Sequence, residues 1–464
     1  MKTEAQMWKR FSTSSGTEYL YITETNQILT LTKECDTQTD EVLIDELHKQ
    51  GILYDDLPSY ARWKMTPEEY SKTLSGGMRG MVLEITQQCN LRCSYCIYSG
   101  NYTGSRVHQE RHMDIDMVKK CIDFYLQHNS DCPSAKISFY GGEALLEFDL
   151  IREAVRYARE KMSGKRPIRF RISSNGTTLR SNVIKWLEEN EDVDMTITIN
   201  GGSHDKYRRF PSGVGSLGII MNTLNDIREN HAKLWDRIDF IANAASYSEI
   251  ADLRSFYREK IGKPPMLITG IHFFGGNDVI DKILTKPEGD EESYRALCKA
   301  YGEEHDEYVK PWTQMEIENI CVRGIGAQKD GRVCSSFCMP FIDSLFVSSD
   351  GVFGICEKIG ADASLGNIND GFNMTGIRNL LDEALQLINE KCLHCWAQRL
   401  CSLCLSEMHR DESGKLFIPE KTCDRIRSGV EKDLRLFCEI GEKNPDLIET
   451  IRNEYVENVE KCLS

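Results

Sequence analysis

Met81-Val82-Leu83-Glu84-Ile85-Thr86-Gln87-Gln88-Cys89-Asn90-Leu91-Arg92-Cys93-Ser94-Tyr95-Cys96 is an apolar run that ends in three cysteines, separated by three and then two residues. Thiolates in that spacing can hold three corners of a cubic four-iron cluster and leave the fourth iron open, much as a catalytic metal keeps one position free of protein ligands. Half of a zinc site is the other reading of the triplet alone, although zinc favours C-x2-C pairs with a fourth ligand nearby. Cysteines placed just after a strand also suggest how the fold is built, because in strand–helix repeats the working residues sit where strands end and loops begin.

Outward from that stretch, residues 79 to about 325 repeat a strand, helix, strand pattern. Apolar runs at 81–86, 136–140, 168–173, 193–199, 238–243 and 267–273 are strand candidates. Between them Met117, Val118, Cys121, Ile122 and Tyr125, then Ile151, Ala154, Val155 and Ala158, recur at helical spacing. Such alternation makes a parallel sheet. Three strand ends carry distinctive turns: Gly141-Gly142-Glu143, Ser173-Ser174-Asn175-Gly176-Thr177, and Thr198-Ile199-Asn200-Gly201-Gly202 leading to His204-Asp205-Lys206-Tyr207-Arg208. Paired glycines allow backbone to approach a ligand closely, and they also make plain turns. His204 reads as structural.

Beyond residue 320 cysteines resume as Cys334-x3-Cys338, then Cys356, then Cys392-x2-Cys395-x5-Cys401-x2-Cys404, and Cys423. Eight thiolates suffice for two four-coordinate sites, and a pair of zinc ribbons is the alternative use of such spacing. Residues 346–353 read as a hairpin about Asp350-Gly351 that delivers Cys356 from its second strand. Cys35, Cys121, Cys132, Cys298, Cys321, Cys438 and Cys462 have no ligand spacing and read as small hydrophobes.

The chain's 464 residues exceed one compact core, and its formal charge of -15 excludes general affinity for nucleic acid. No apolar run approaches membrane-span length and the first residues lack a signal-peptide core, so a cytoplasmic protein without a membrane partner is expected. Eighteen cysteines in a reducing compartment point to metal rather than disulfides. Residues 1–78 hold two short strand candidates, 19–22 and 28–31, around Thr25-Asn26, then an amphipathic stretch with Val42, Leu43, Leu47 and Ile52 that Gly51 is placed to end. Residues 429–464 read as amphipathic helices with apolar positions at Leu434, Phe437, Cys438, Ile448, Ile451, Tyr455 and Val459.

Together these motifs resemble the radical S-adenosylmethionine (SAM) enzymes with a C-terminal SPASM domain. The resemblance implies an α/β fold: a small N-terminal α+β module (1–78), a partial (β/α)6 TIM-type barrel (79–325), a SPASM iron–sulfur domain (326–428) and a helical tail (429–464). It also implies that Cys89, Cys93 and Cys96 hold a [4Fe-4S] cluster whose open iron is chelated by SAM. Tyr95, Gly141, Gly142, Glu143, Ser173, Asn175, Thr198 and Arg208 would then contact SAM, the glutamate region at its amino group, Ser173 and Asn175 at its ribose, Thr198 and Arg208 at its carboxylate. Asn200 departs from the aspartate usual in the family. In the family's interleaved pattern Cys334, Cys338, Cys356 and Cys404 serve a first auxiliary cluster and Cys392, Cys395, Cys401 and Cys423 a second. Only two residues, Ser402 and Leu403, separate Cys401 from Cys404, where most members have three, which leaves a three-ligand first auxiliary cluster with an open iron as an alternative.

Short segments, Ile97-Tyr98-Ser99-Gly100-Asn101-Tyr102 and Cys395-Trp396-Ala397-Gln398-Arg399-Leu400-Cys401, are most similar to maturases that form thioethers in Cys-rich peptides. The expected partners are a Cys-rich precursor peptide, held by a winged-helix-like N-terminal module, and an electron donor such as flavodoxin or ferredoxin. Formylglycine formation in a sulfatase, a carbon–carbon cross-link, or a zinc-bearing peptide scaffold are the alternatives.

Overall fold

The computed structural model describes residues 7–32, 39–53, 60–100, 106–271, 290–302, 306–323, 332–333 and 338–463. Its centre is an eight-stranded sheet in the order Leu267–Gly270, Ile238–Ala244, Val193–Thr198, Ile168–Ser174, Ala135–Gly141, Met81–Thr86, Leu345–Val347 and Phe353–Gly354. Six of these strands follow one another in chain order, and each pairs parallel with the next. They coincide with the apolar runs read from the sequence, save that the last ends at Gly270 and residues 272 and 273 lie outside the described range.

The helices between the strands exist for the reason their spacing suggested. Ile115–His128 is capped by Asp114, whose carboxylate accepts from the Met117 amide at 2.7 Å, and it buries Val118, Cys121, Ile122 and Tyr125. Phe148–Met162 buries Ile151, Ala154, Val155 and Ala158. Beneath them lies one apolar face of the sheet, including Leu83, Ile85, Ile137, Phe139, Phe170, Ile172, Met195, Ile197, Phe240 and Ala242.

The opposite face is polar. In register, Glu84 stands beside Tyr140, Ser138 beside Arg171, Ser173 beside Thr196, and Asn243 beside Thr269. Parallel sheets are ordinarily apolar on both faces because helices cover both. The polar face therefore marks the side of the sheet turned away from those two helices. The sheet's ends, Leu267–Gly270 and Phe353–Gly354, are not joined to each other among the described residues, so the sheet is open.

The hairpin about Asp350-Gly351 forms as expected, with Gly351 at φ 80°. Its first strand also pairs parallel with Met81–Leu83, extending the main sheet. Leu345, Phe346 and Val347 are fully buried there, which covers a strand edge that would otherwise be open.

At the N-terminus, Trp8–Ser12, Glu18–Ile22 and Gln27–Thr30 form an antiparallel meander, and Asp40–Lys49 packs on it through Leu43, Ile44 and Leu47 over Leu20 and Ile22. Two of these strands were visible in the sequence, and Trp8–Ser12 was not. The C-terminal helices Glu420–Lys443 and Pro445–Leu463 close the chain. Among the described residues no helix is long and apolar enough to cross a membrane.

Candidate active site

The loop that follows the first parallel strand crosses the C-terminal mouth of the sheet. It is pinned to the segment after the fourth strand by two backbone bonds, Arg92 N–H to Arg209 O at 2.7 Å and Ser94 N–H to Tyr207 O at 3.0 Å. Inside the loop, amides of Leu91 and Tyr98 point at the sulfurs of Cys89 and Cys96, each at 3.4 Å. Asn175 Nδ2 lies 3.8 Å from the Cys89 sulfur.

Burial pushes the Cys89 thiol up to about 12 and the Cys96 thiol up to about 11. Adjacent thiolates are thus unfavourable here unless a cationic centre compensates them, and a cubic iron–sulfur core is such a centre. The donor set, three thiols with amides already aimed at two of them, fits that group.

Gly141 and Gly142 set where this loop starts. A Cβ on Gly141 would lie 2.1 Å from the Thr86 carbonyl oxygen, and one on Gly142 would lie 2.0 Å from that of Gln88. Their closeness lets Gly142 N–H reach Thr86 O at 2.8 Å and Glu143 N–H reach Gln88 O at 2.7 Å. The glycines thereby hold the approach to Cys89.

Glu143 closes the Gly-Gly-Glu turn. Its carboxylate is 1 % exposed and accepts from Ser174 Oγ at 2.8 Å, the Asn175 amide at 2.7 Å and the Leu145 amide at 3.1 Å. Its carboxylate thereby braces two strand ends. Asn175 is likewise engaged: Oδ1 accepts from the Thr177 amide at 2.9 Å, and Nδ2 donates to Asn90 Oδ1 at 2.9 Å. It steadies the cysteine loop. Ser173 and Thr198 lie on the polar face of the sheet.

Arg208 lies beside the triplet. Burial opposes its charge, but Cys93, Tyr95 and Cys89 nearby outweigh that and raise its affinity for the proton. Its Nη1 donates to the Tyr95 hydroxyl at 3.0 Å, while its buried Nε has no hydrogen-bond partner among the described residues. A cation next to the cluster loop with a donor left over suits a carboxylate. Tyr95 is also the target of Asn200 Nδ2 at 2.9 Å and Asn243 Nδ2 at 3.4 Å. Asn200, the departure noted above, thus donates to Tyr95 and accepts the Asn243 amide at 3.0 Å through Oδ1.

His204 supports Arg208 from behind. Its Nδ1 accepts the Asn200 amide at 3.2 Å, which leaves the proton on Nε2 to bond Ser216 Oγ at 3.0 Å. Ser216 passes its own hydroxyl to the Arg208 carbonyl at 2.9 Å. Burial drives the His204 imidazole down to about 3, so it is neutral and structural.

One group escaped the sequence reading. Glu84, wholly buried on the first parallel strand, accepts from Tyr98 Oη at 2.5 Å, Gln87 Nε2 at 2.8 Å, Arg106 Nη1 at 2.9 Å and the Ser349 amide at 2.9 Å. Arg106 also stacks 4.4 Å from the Tyr98 ring centre and donates to the Glu357 carbonyl. This buried network ties the triplet loop to the hairpin and the Cys356 loop. An acid inside an otherwise apolar strand was the available signal.

Of the C-terminal cysteines, Cys334 lies outside the described residues. Burial raises Cys338 and Cys356, the latter to about 11, and the Cys404 thiol adds to both, so these three share a neighbourhood. Cys395 and Cys423 share another, flanked by Arg427. Cys392 ends the helix Met374–Lys391, and the Leu403 amide points at the Cys401 sulfur at 3.4 Å. No group of three His, Cys, Asp or Glu side chains among the described residues is gathered tightly enough to hold one metal ion.

Residues 83–244 match the sequence model of the Radical SAM superfamily. An uncharacterised protein of Methanocaldococcus jannaschii is 26% identical over 304 residues, 63% of this chain and 90% of that protein. The cysteine-type anaerobic sulfatase-maturating enzyme of Clostridium novyi is 24% identical over 184 residues, 39% of this chain and 48% of that enzyme. The solved structure of native anSMEcpe with bound AdoMet and Cp18Cys peptide superposes with a TM-score of 0.54 at 17% identity, covering 81% of this chain and 99% of that one, a likeness of fold.

Proposed function

We propose, from the match of residues 83–244 to the Radical SAM superfamily model, that this chain is a peptide maturase joining a cysteine sulfur of a precursor peptide to a carbon of the same peptide. In this reading Cys89, Cys93 and Cys96 hold a [4Fe-4S] cluster, with Arg208 and Thr198 at the carboxylate of SAM and Ser173 at its ribose. When bound, cluster and SAM supply a 5'-deoxyadenosyl radical that removes a hydrogen atom from substrate. Cys334, Cys338, Cys356 and Cys404, and Cys392, Cys395, Cys401 and Cys423, hold two further clusters, which supply one-electron storage.

The chain's own contribution is positional. The polar sheet face receives the reacting groups, and helices behind the apolar face keep it rigid. Arg208, backed by Ser216 and His204, orients an anion beside the triplet. A dry, fixed geometry keeps a reactive carbon centre from side reactions.

The observation that carries this reading is the Glu84–Arg106–Ser349 network, which links the triplet loop to the Cys356 loop. Forming the carbon–sulfur bond removes two protons and two electrons from the peptide: one hydrogen atom would pass to the 5'-deoxyadenosyl carbon, the thiol proton to solvent and the second electron to an auxiliary cluster, and two linked thiol-rich neighbourhoods suit such a reaction. The N-terminal meander and helix would hold the precursor's leader along a strand edge. We place the protein in the cytoplasm with a flavodoxin or ferredoxin as reductant.

The test is anaerobic incubation of reconstituted enzyme with SAM, dithionite and a Cys-rich peptide encoded beside the gene. Mass spectrometry should show the loss of two hydrogens per link, with one cysteine per link no longer alkylable. A product in which oxygen has replaced sulfur, as in formylglycine, would instead assign a sulfatase-type maturation.

A further inference from the structure

The turn that joins the second and third strands of the N-terminal meander is buried, although turns between hairpin strands usually face solvent. Thr23 and Thr25 are 2 % exposed and Asn26 is 6 %. What covers them is the loop that carries Cys395 and Cys401. Thr23 Oγ1 donates to the Trp396 carbonyl, and Arg399 Nη1 donates to the Glu24 carbonyl at 2.8 Å. Gln398 Nε2 approaches Met7 Sδ at 3.4 Å, and Lys9 Nζ sits 5.5 Å from the centre of the Trp396 ring. Asn26 Nδ2 donates to the Arg323 carbonyl at 2.9 Å, and Arg323 leads through Asn319 to the Leu400 carbonyl, also at 2.9 Å.

The helix bearing Cys423 leans on the same meander. Glu431 pairs with Lys9 at 2.8 Å, Glu442 accepts from Thr13 Oγ1 at 2.8 Å and Tyr19 Oη at 2.9 Å, and Glu439 accepts the Ser14 amide at 2.8 Å. Two separate chain segments that supply thiols to the second C-terminal site are thus held against one small sheet.

We propose that the N-terminal meander is a wall of the Cys392, Cys395, Cys401 and Cys423 site, with Thr23 and Arg399 as positioning residues that fix its cysteine loop. This rests on reading those four thiols as one iron–sulfur site, and it does not depend on the peptide product. The hydrogen bonds and solvent exclusion around a cluster set its reduction potential. A sheet that grips the ligand loop therefore sets that potential, and anything bound along the sheet is felt at the cluster.

The test uses full-length reconstituted enzyme without peptide, in wild-type form and as Thr23→Val/Arg399→Met, with Arg399→Lys as the conservative variant because it keeps a donor for the Glu24 carbonyl. Iron content and an EPR-monitored redox titration are read together, alongside uncoupled 5'-deoxyadenosine release. In the double variant one iron–sulfur signal should shift its midpoint, or about four irons per chain should be lost, whereas Arg399→Lys alone should keep the wild-type value. Unchanged midpoints and iron content in the double variant would overturn the proposal. So would collapse of every iron signal together with SAM cleavage, since the effect would then be global. Hydrogen exchange on the wild-type protein gives a second reading: iron chelation should deprotect residues 395–403 and 19–30 together, and deprotection of the loop alone would refute the shared wall. Because no peptide is present, failure here is separate from failure of the cross-linking reading.

Discussion

Acidification should loosen the segment that carries Arg208, and His204 makes the effect calculable. A free imidazole titrates near 6.5, whereas burial holds the folded His204 down to about 3. The unfolded segment therefore takes up a proton below pH 6.5 that the folded one refuses until near 3. Stability from this group is fully present above pH 6.5 and is lost as the pH falls through that window. Between pH 7 and pH 5 the loss is about 2 kcal/mol, roughly 25-fold in the local opening equilibrium. Because a chain of several parts does not unfold in one step, the measurement is local: hydrogen exchange of residues 198–217 in wild type and His204→Gln, compared at each pH. The glutamine variant cannot titrate, so groups elsewhere cancel in the comparison. Wild type should lose about 25-fold in protection relative to the variant on going to pH 5. If both lose protection in parallel, His204 is not the group that responds, and the hydrogen-bond relay through Ser216 does not operate as described.

Replacing any of Cys89, Cys93 or Cys96 by alanine should abolish 5'-deoxyadenosine release and remove one iron–sulfur signal, measured by chromatography and EPR. Arg106→Ala should destabilise by about 3–5 kcal/mol, because it leaves the buried Glu84 carboxylate uncompensated, whereas the double change Arg106→Met/Glu84→Gln should cost less. Thermal unfolding compares the two. Gly142→Ala should cost about 1–3 kcal/mol and lower iron retention, since its Cβ would meet the Gln88 carbonyl oxygen at 2.0 Å. Arg208→Lys should weaken SAM binding by about 1.5–3 kcal/mol, read by calorimetry, because a single ammonium replaces a guanidinium fork.

The parallel strands were legible because each is an apolar run bounded by turn residues, and their helices repeat at i, i+3, i+4. The cysteine triplet was legible because ligand spacing is local. Glu143 was not, since its partners Ser174 and Asn175 stand 31 and 32 residues away and only the folded sheet shows them consuming its oxygens. The ladder between Leu345–Val347 and Met81–Leu83 is equally non-local, and no periodicity could have announced it. Trp8–Ser12 was missed because Lys9 and Arg10 break its apolar pattern. Their charges are answered by Glu431 and Asp40, one on a distant helix.

That long-range ladder has a mechanical meaning. The loop with Cys89, Cys93 and Cys96 follows Met81–Thr86 and the loop with Cys356 follows Phe353–Gly354, with Leu345–Val347 the one strand between them, and neighbouring strands lie about 4.8 Å apart. Sliding one loop relative to the other would require shearing backbone rungs in the middle of the molecule. The spacing between the two loops is therefore set at folding, like the jaw of a fixed-width spanner.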